Sequence, residues 1–397
     1  MLPRSANLII TEHQFHCERR NMSAEGGDEE TAKLKKRLDS SKINLFGKKL
    51  RPSDLPLLTQ RLRDASRPVK SLTLCFSASS AEAALPALVS GENNKNSALT
   101  YIDLAGNFLQ DEPIGDLLRA CPALAVLSLY WNRIDDAALI KMTPALAEHP
   151  CLQKLYLQQN KLTDACTEAL AGALSRNRVL QTLNISDNKI GPLGAKALAR
   201  ADKIPLKNLF LARNDIGDEG AAALAASAGR WELEAVDVSD NRIERQGGLA
   251  LLAFFDHAPL RPLTLDVSSN RLYDDFVDGL CEKDLLLLFP MTLQMNDVDL
   301  TGKGMARMAR WLAEKDPPLK MLDLQNNARD IQGEEARVSR ENFFSYSQRR
   351  GNAVKLYLPI NLRKRPKVYS SDEEEEVEKK NIVSRESSSN LQLVVYF

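Results

Sequence analysis

Residues 152–162 read LQKLYLQQNKL, residues 180–190 LQTLNISDNKI and residues 206–216 LKNLFLARNDI. The same phrase returns as LTYIDLAGNFL at 99–109, LAVLSLYWNRI at 124–134 and LEAVDVSDNRI at 233–243. In each copy the fourth and sixth residues are apolar, the alternation of a short strand with one buried face. An Asn stands ninth, where a turn leaving that strand would bury backbone polar groups. An amide side chain both donates and accepts, so it can satisfy them. Six such copies decide the architecture before any other feature of the chain.

Weaker copies extend the series in both directions: INLFGKKL from Ile43, LTLCFS from Leu72, LTLDVSSNRL from Leu263, VDLTGKGM from Val298, LKMLDLQNNA from Leu319 and KLYLPINL from Lys355. The Asn-equivalent positions then run Lys48, Ser77, Asn107, Asn132, Asn160, Asn188, Asn214, Asn241, Asn270, Lys303, Asn327 and Asn361, a mean step of about 28.5 residues. Longer steps into Lys303 and Asn361 read as insertions that lengthen a loop or a helix. After the Asn, stretches such as TDACTEALAGALSRN and GDEGAAALAASAG place Ala and Leu at helical spacing, with Asp or Thr at the head suited to N-capping. One strand and one helix cannot bury their apolar faces alone, so the units must stack. Strands sit ~4.8 Å apart while packed helices need ~8–10 Å, so each unit turns by roughly 20°. The expected fold is an α/β solenoid of about 12 repeats, a horseshoe with a parallel concave sheet and convex helices.

These repeats resemble those of the leucine-rich-repeat family, in its long-repeat, ribonuclease-inhibitor-like class. The resemblance covers roughly residues 40–365. The organisation expected around it is a disordered N-terminus with a capping helix over 1–39, the repeat domain over 40–365, and an acidic, disordered tail over 366–397. Within the first segment, EETAKLKKRL (Glu29 to Leu38) has the propensity to form the cap.

Side chains between the buried leucines face the hollow. In the first two-thirds of the series these include Phe46, Tyr101, Tyr130, Tyr156 and Phe210, with Trp131 beside Tyr130. Exposed aromatics on a rigid surface anchor protein interfaces, and Tyr130, Trp131 and Tyr156 are the expected anchor cluster. Later units carry carboxylates. Asp237, Asp266, Asp299 and Asp323 read as equivalent strand positions in four successive units, with Asp240 and Asp297 close by and Tyr357 closing the row. Such a column favours a partner with a basic surface, although Asp is also habitual in the family's L-D-L-S-x-N units.

Fifty-three basic residues balance 53 acidic ones, so the chain has no global cationic field of the kind a nucleic-acid binder carries. No apolar run approaches the ~20 residues of a membrane span, and the opening residues lack a signal-peptide layout. Six cysteines without a C-x-x-C pair argue against a disulfide scaffold or zinc ribbon and for a reducing, cytoplasmic setting. Neither a G-x-S-x-G elbow nor an H-E-x-x-H motif occurs. Thr301-Gly302-Lys303-Gly304 lacks the upstream Gly and the following Ser or Thr of a phosphate loop. His149 and His257 fall near helix ends, where capping is the ordinary role, and His13, His16 and Cys17 have no fourth ligand nearby. No catalytic residue, metal or cofactor is expected.

In the tail, Ser370 and Ser371 precede the acidic run Asp372 to Glu376, which resembles the substrates of acid-directed kinases. The preceding basic cluster (Arg363, Lys364, Arg365, Lys367) resembles a nuclear-localisation signal and makes the nucleus the alternative to the cytoplasm. The expected function is a non-catalytic scaffold that binds a protein partner, not nucleic acid or membrane, on the concave face. The alternative is a regulator of a small GTPase, because Ran GTPase-activating proteins resemble this chain in having ribonuclease-inhibitor-like repeats followed by an acidic tail. Ribonuclease inhibition is not expected, since that family carries many cysteines and this chain has six. With no nucleotide-binding segment ahead of the repeats, an innate-immune receptor is not expected either.

Overall fold

Each repeated phrase lays down a short strand whose central side chain points into the core while its two neighbours point away from it. The computed structural model describes residues 27–362 except 49, 65, 90–97, 111–112, 203, 257–262, 284–290, 330 and 351–352. His13, His16, Cys17, His257 and the tail with Ser370 and Ser371 lie outside the described residues. The first six strands are β1 (Lys42–Asn44), β2 (Ser71–Thr73), β3 (Tyr101–Asp103), β4 (Val126–Ser128), β5 (Lys154–Tyr156) and β6 (Thr182–Asn184). The remainder are β7 (Asn208–Phe210), β8 (Ala235–Asp237), β9 (Thr264–Asp266), β10 (Met291–Gln294), β11 (Leu319–Asp323) and β12 (Lys355–Tyr357). All twelve pair in parallel in sequence order, in one sheet whose two ends do not meet. Parallel neighbours need a crossover, and helices such as Asp136–Glu148, Thr167–Arg176 and Gly217–Ala226 supply it.

Eleven successive strand centres, Ile43, Leu72, Ile102, Leu127, Leu155, Leu183, Leu209, Val236, Leu265, Leu293 and Leu322, are at most 2% exposed. At ~1.5–3 kcal/mol per buried side chain, this file and the helix residues packed on it hold unit to unit. The Asn ladder does the polar part. Asn132 Nδ2 donates to the Leu104 and Leu129 carbonyls, and its Oδ1 accepts from the Asn107 and Leu109 N–H groups, all at 3.0 Å. One amide thus ties two repeats together. Asn270 makes the equivalent bonds to Asn241, Ile243, Val238 and Val267. Ser77 keeps the bond to the preceding repeat, donating to the Leu45 and Cys75 carbonyls at 2.8 and 3.1 Å.

One unit departs from the expected register. β10 begins at Met291, not Val298, and its centre Leu293 pairs with Leu265 and Leu322. The ladder position in that unit is therefore Val298, and the irregular step into Lys303 is replaced by two ordinary ones (270 to 298 to 327). Lys303 lies inside the helix Gly302–Lys315, where its N–H donates to the Thr301 hydroxyl at 3.2 Å. Asp274 accepts from Thr301 N and Oγ1 at 2.9 and 2.5 Å, just as Asp136 accepts from Thr163 N and Oγ1 at 2.8 and 2.6 Å, which fixes the frame. Met291, Leu293 and Met295 alternate into the core as a strand requires, but without the Asn the phrase is hard to see. Asp299 consequently falls in the turn after β10, exposed and with φ 60°, and not in a strand column. The long step into Asn361 is absorbed by helix Gly333–Arg350, 18 residues and the longest of the described helices.

At the other end, helix Gly27–Leu38 buries Leu34 and Leu38 in the same core as Leu45 and Leu58. Buried Arg61 fastens its exit, donating to the Leu38, Ser40 and Arg67 carbonyls at 2.6, 3.2 and 2.5 Å.

Candidate functional site

The pairing register sorts the inner face into columns. One residue past the strand centre stand, from β1 to β12, Asn44, Thr73, Asp103, Ser128, Tyr156, Asn184, Phe210, Asp237, Asp266, Gln294, Asp323 and Tyr357. Tyr101 stands one residue before its centre, level with Val126. Phe46 and Tyr130 lie three residues past theirs, and Trp131 one further. The predicted aromatics thus occupy several columns, and Gln294 takes the place expected for Asp299 between Asp266 and Asp323.

Four rings join up. Phe46 and Phe76 meet edge to face with centroids 5.4 Å apart, Phe76 and Trp131 at 5.3 Å, and Trp131 and Tyr130 at 6.5 Å. Phe46 is 45% and Trp131 36% exposed. The row crosses the third repeat because Gly106 stands at the equivalent position there; a Cβ on it would lie 2.3 Å from the Phe76 ring. Phe76 and Trp131 have φ of 54° and 53°, the left-handed conformation that recurs just before the ladder position from Gly47 to Asn326. Gly47, Gly106, Asp187, Asp240, Asp297 and Asn326 take it with residue types that tolerate it, while Gln159, Arg213 and Ser269, like Phe76 and Trp131, take it with types that tolerate it less. A Phe or Trp there costs roughly 1–2 kcal/mol. Nearby, the Arg133 guanidinium covers Phe108, 58% exposed, at 4.8 Å from the ring centroid. Sequence reasoning missed Phe76 and Phe108, although Phe76 holds the same offset from its ladder residue as Trp131, which was the available signal.

Tyr101, Tyr130 and Tyr156 are half-buried, and burial pushes all three hydroxyls up, so they are neutral donors at physiological pH. Tyr101 Oη donates to Asp103 Oδ2 at 3.4 Å. Tyr156 lies close enough to Tyr101 to contribute to its shift.

The carboxylates have a local task. Asp103, Asp237, Asp266 and Asp323 each accept, through Oδ1, the N–H two residues ahead, at 3.1, 3.0, 3.0 and 3.0 Å. Asn44 and Asn184 do the same at 3.0 Å, so the turn does not require a charge. Burial pushes the Asp237 carboxyl up; Asp266 rises to about 6, from burial first and then from the neighbouring Asp237 charge. Between the aromatic and acidic stretches sits a pair the sequence reading did not single out: Arg213 Nε and Nη2 reach Asp187 Oδ1 and Oδ2 at 2.6 and 2.7 Å. Asp187, Arg213 and Asp240 share one offset in three consecutive repeats, and that offset was the available signal.

His149 is the one histidine among the described residues. Its Nδ1 accepts from Cys151 and Leu152 N–H at 3.2 and 3.0 Å, which leaves the proton on Nε2, donated to the Cys121 carbonyl at 3.2 Å. Both ring nitrogens serve the backbone, the capping role expected. Cys75, Cys121, Cys151, Cys166 and Cys281 are free thiols. Among the described residues no group of three His, Cys, Asp or Glu could hold a metal ion, and no helix is long and apolar enough to cross a membrane.

A single parallel sheet, one strand and one helix per unit, with an inner face built from side chains at fixed offsets, defines an α/β repeat solenoid. The family model described as Leucine Rich repeat matches residues 176–199 and 204–225. Together with the twelve-fold strand and the Asn ladder, that match makes the chain a leucine-rich-repeat protein. No curated protein sequence matches it. Among solved structures, a plant ice-binding protein is similar at 19% identity and TM-score 0.33, over 68% of this chain and 70% of that one. The protein of a TLR13–ssRNA13 complex is similar at 15% identity and TM-score 0.39, over 81% of this chain and 46% of that one. Neither likeness transfers a ligand.

Proposed function

We propose that this protein is a non-catalytic scaffold that grips a protein partner on its inner face. Leucine-rich-repeat proteins generally act this way. The observation that carries the reading is the ring row Phe46–Phe76–Trp131–Tyr130. Two of its members stand exposed, and two hold a left-handed backbone that Gly or Asn would hold at lower energy. A joined row of rings with exposed members points to what the surface binds, since large exposed aromatics anchor interfaces. Tyr101, Tyr156 and Phe210 extend the apolar contact toward the middle repeats. Asp237, Asp266 and Asp323, charged where Asn would serve the turn equally well, form a flank for a basic patch on the partner, with Tyr357 beyond them. The step of about 28.5 residues, with a helix in most units, favours the long-repeat, ribonuclease-inhibitor-like class.

The test is affinity capture from cell extract with wild-type protein and with the triple variant Phe76→Ala, Tyr130→Ala, Trp131→Ala. The variant is expected to keep its circular dichroism and thermal transition and to lose the specifically retained protein. An identical set of captured proteins from both would overturn the reading. Stimulated GTP hydrolysis by any of a panel of small GTPases would move the function from scaffolding to regulation.

A further inference from the structure

We infer that the first repeat carries a cationic seat for an acidic polypeptide segment of the partner, continuous with the aromatic row. This rests on the inner face receiving a polypeptide. A shallow hollow of about 500 Å³ opens at the β1 end of the sheet, lined by Arg37, Ser40, Lys42, Asn44, Phe46 and Lys48. Lys42 and Asn44 alternate along β1 and so share a face, and Phe46 and Lys48 join them in the lining from the turn that follows. Arg37 comes from the last turn of helix Gly27–Leu38 and donates to the Asn44 carbonyl at 3.4 Å. Nearby acids are already paired: Asp54 with Arg51, Asp39 and Asp64 with Arg67. Arg37, Lys42 and Lys48 form no ion pair among the described residues, so their charge is left for something outside the fold.

Lysine on an edge strand also deters unwanted strand pairing. That role does not call for Phe46, 45% exposed between Lys42 and Lys48 and joined edge to face to Phe76. The order cation, ring, cation complements a segment with acidic residues on either side of an apolar one. Charge complementarity selects the acidic residues and the ring selects the apolar one.

The probe is a fluorescein-labelled twelve-residue peptide of glutamates around a central Leu-Phe pair, measured by anisotropy with the full chain. A lysine counterpart is the control. The acidic peptide is expected to bind and the basic one not. Lys42→Glu with Lys48→Glu should weaken binding about tenfold, and Phe46→Ala about threefold. The charge-dependent part should vanish near 1 M salt, where screening acts over ~3 Å. Equal affinity for the two peptides, or no change in the charge-reversed variant, overturns the seat. So does tighter peptide binding after Asp372 to Glu376 are neutralised, which would assign the seat to the chain's own tail. The two readings fail separately. If the aromatic triple variant loses its partner while the lysine variants bind peptide normally, the scaffold stands and the seat does not.

Discussion

In the first four repeats the inner face carries a row of rings: Phe76 and Trp131 sit in left-handed backbone, join Phe46 and Tyr130, and make no turn that Gly or Asn could not make. In repeats eight to eleven the inner face carries Asp237, Asp266 and Asp323, each bound to its own backbone two residues ahead. The same pleat supports both. The difference lies in what each side chain would lose by mutation to the cheapest residue for its position. For the rings that loss, on the proposed scaffold function, is contact area for a partner. For the carboxylates it is charge, because the turn survives as Asn.

The largest expected effect therefore separates the two halves in binding. Trp131→Asn should weaken the captured partner by about thirtyfold or more, as for a central aromatic anchor. It should also raise stability by ~0.5–1 kcal/mol through relief of the left-handed strain. Asp323→Asn should weaken the partner by about threefold at most, as for a partly exposed ion pair. Calorimetric titration of both variants, with urea denaturation alongside, checks the pair. If the Asp variant proved the more damaging, the comparison would be reversed.

Next in size is a stability gain in the acidic half. Asp266, at about 6, holds its proton to a higher pH when folded than the ~3.9 of an unfolded Asp. Between roughly pH 4 and 6 the folded chain binds more protons, so stability falls as pH rises through that window. Above it the ionised, half-buried carboxylate opposes folding by ~3 kcal/mol. Asp266→Asn keeps the turn bond, as Asn184 shows, and should raise stability by about that amount at pH 7.5 while leaving pH 4 unchanged. A loss of stability at pH 7.5 would mean that the carboxylate is stabilised by something other than the turn.

How far these halves were legible in the sequence follows from the range of each interaction. Strand centres such as Leu155 and Leu183, and the Asn ladder, recur within one unit and can be read from it. The register of β10 could not, because Val298 lacks the Asn signal and Val-Asp-Leu imitates a strand. Asp299 was misplaced for that reason alone. The ring row was half legible: Tyr130 and Trp131 are adjacent in sequence, whereas Phe76 reaches Trp131 only because Gly106, one repeat between them, leaves the space. Contacts that skip a repeat depend on what is missing from the middle one. The Asp187–Arg213 pair shows the simpler case, two residues at one offset in adjacent units.

Gly106 sharpens the comparison within the aromatic half. Gly106→Ala places a Cβ on a backbone with φ 69° and 2.3 Å from the Phe76 ring, so it should cost about 1–2 kcal/mol and displace Phe76. Gly47→Ala meets the same left-handed penalty with nothing within 4 Å, and should cost about 1 kcal/mol and leave the row in place. Urea midpoints give the first quantity and partner affinity the second. Only Gly106→Ala should lower both. If Gly47→Ala lowered affinity equally, continuity of the rings would not be what the partner reads.

The smallest effect sets the halves against each other by pH. His149 lies in the aromatic half, and burial holds its imidazole below its ordinary 6.5. The unfolded chain takes up that proton first on acidification, so the His149 contribution is complete above pH 6.5 and is lost as pH falls below it. Asp266 slopes the opposite way between roughly pH 4 and 6. Acidification from pH 7 to 5 should thus loosen the repeats around Cys121 and His149 relative to those around Asp237 and Asp266. Amide exchange resolved along the chain reads this directly. In the next unit Asn177 fills the position of His149, donating to the Leu146 carbonyl at 2.6 Å and accepting from Val179 and Leu180 N–H at 2.9 and 2.8 Å. His149→Asn should therefore change stability by no more than about 0.5 kcal/mol at pH 7.5 and remove the acid-side loosening. If the loosening persisted in that variant, the buried imidazole would not be its source and the opposition of the two halves by pH would fall.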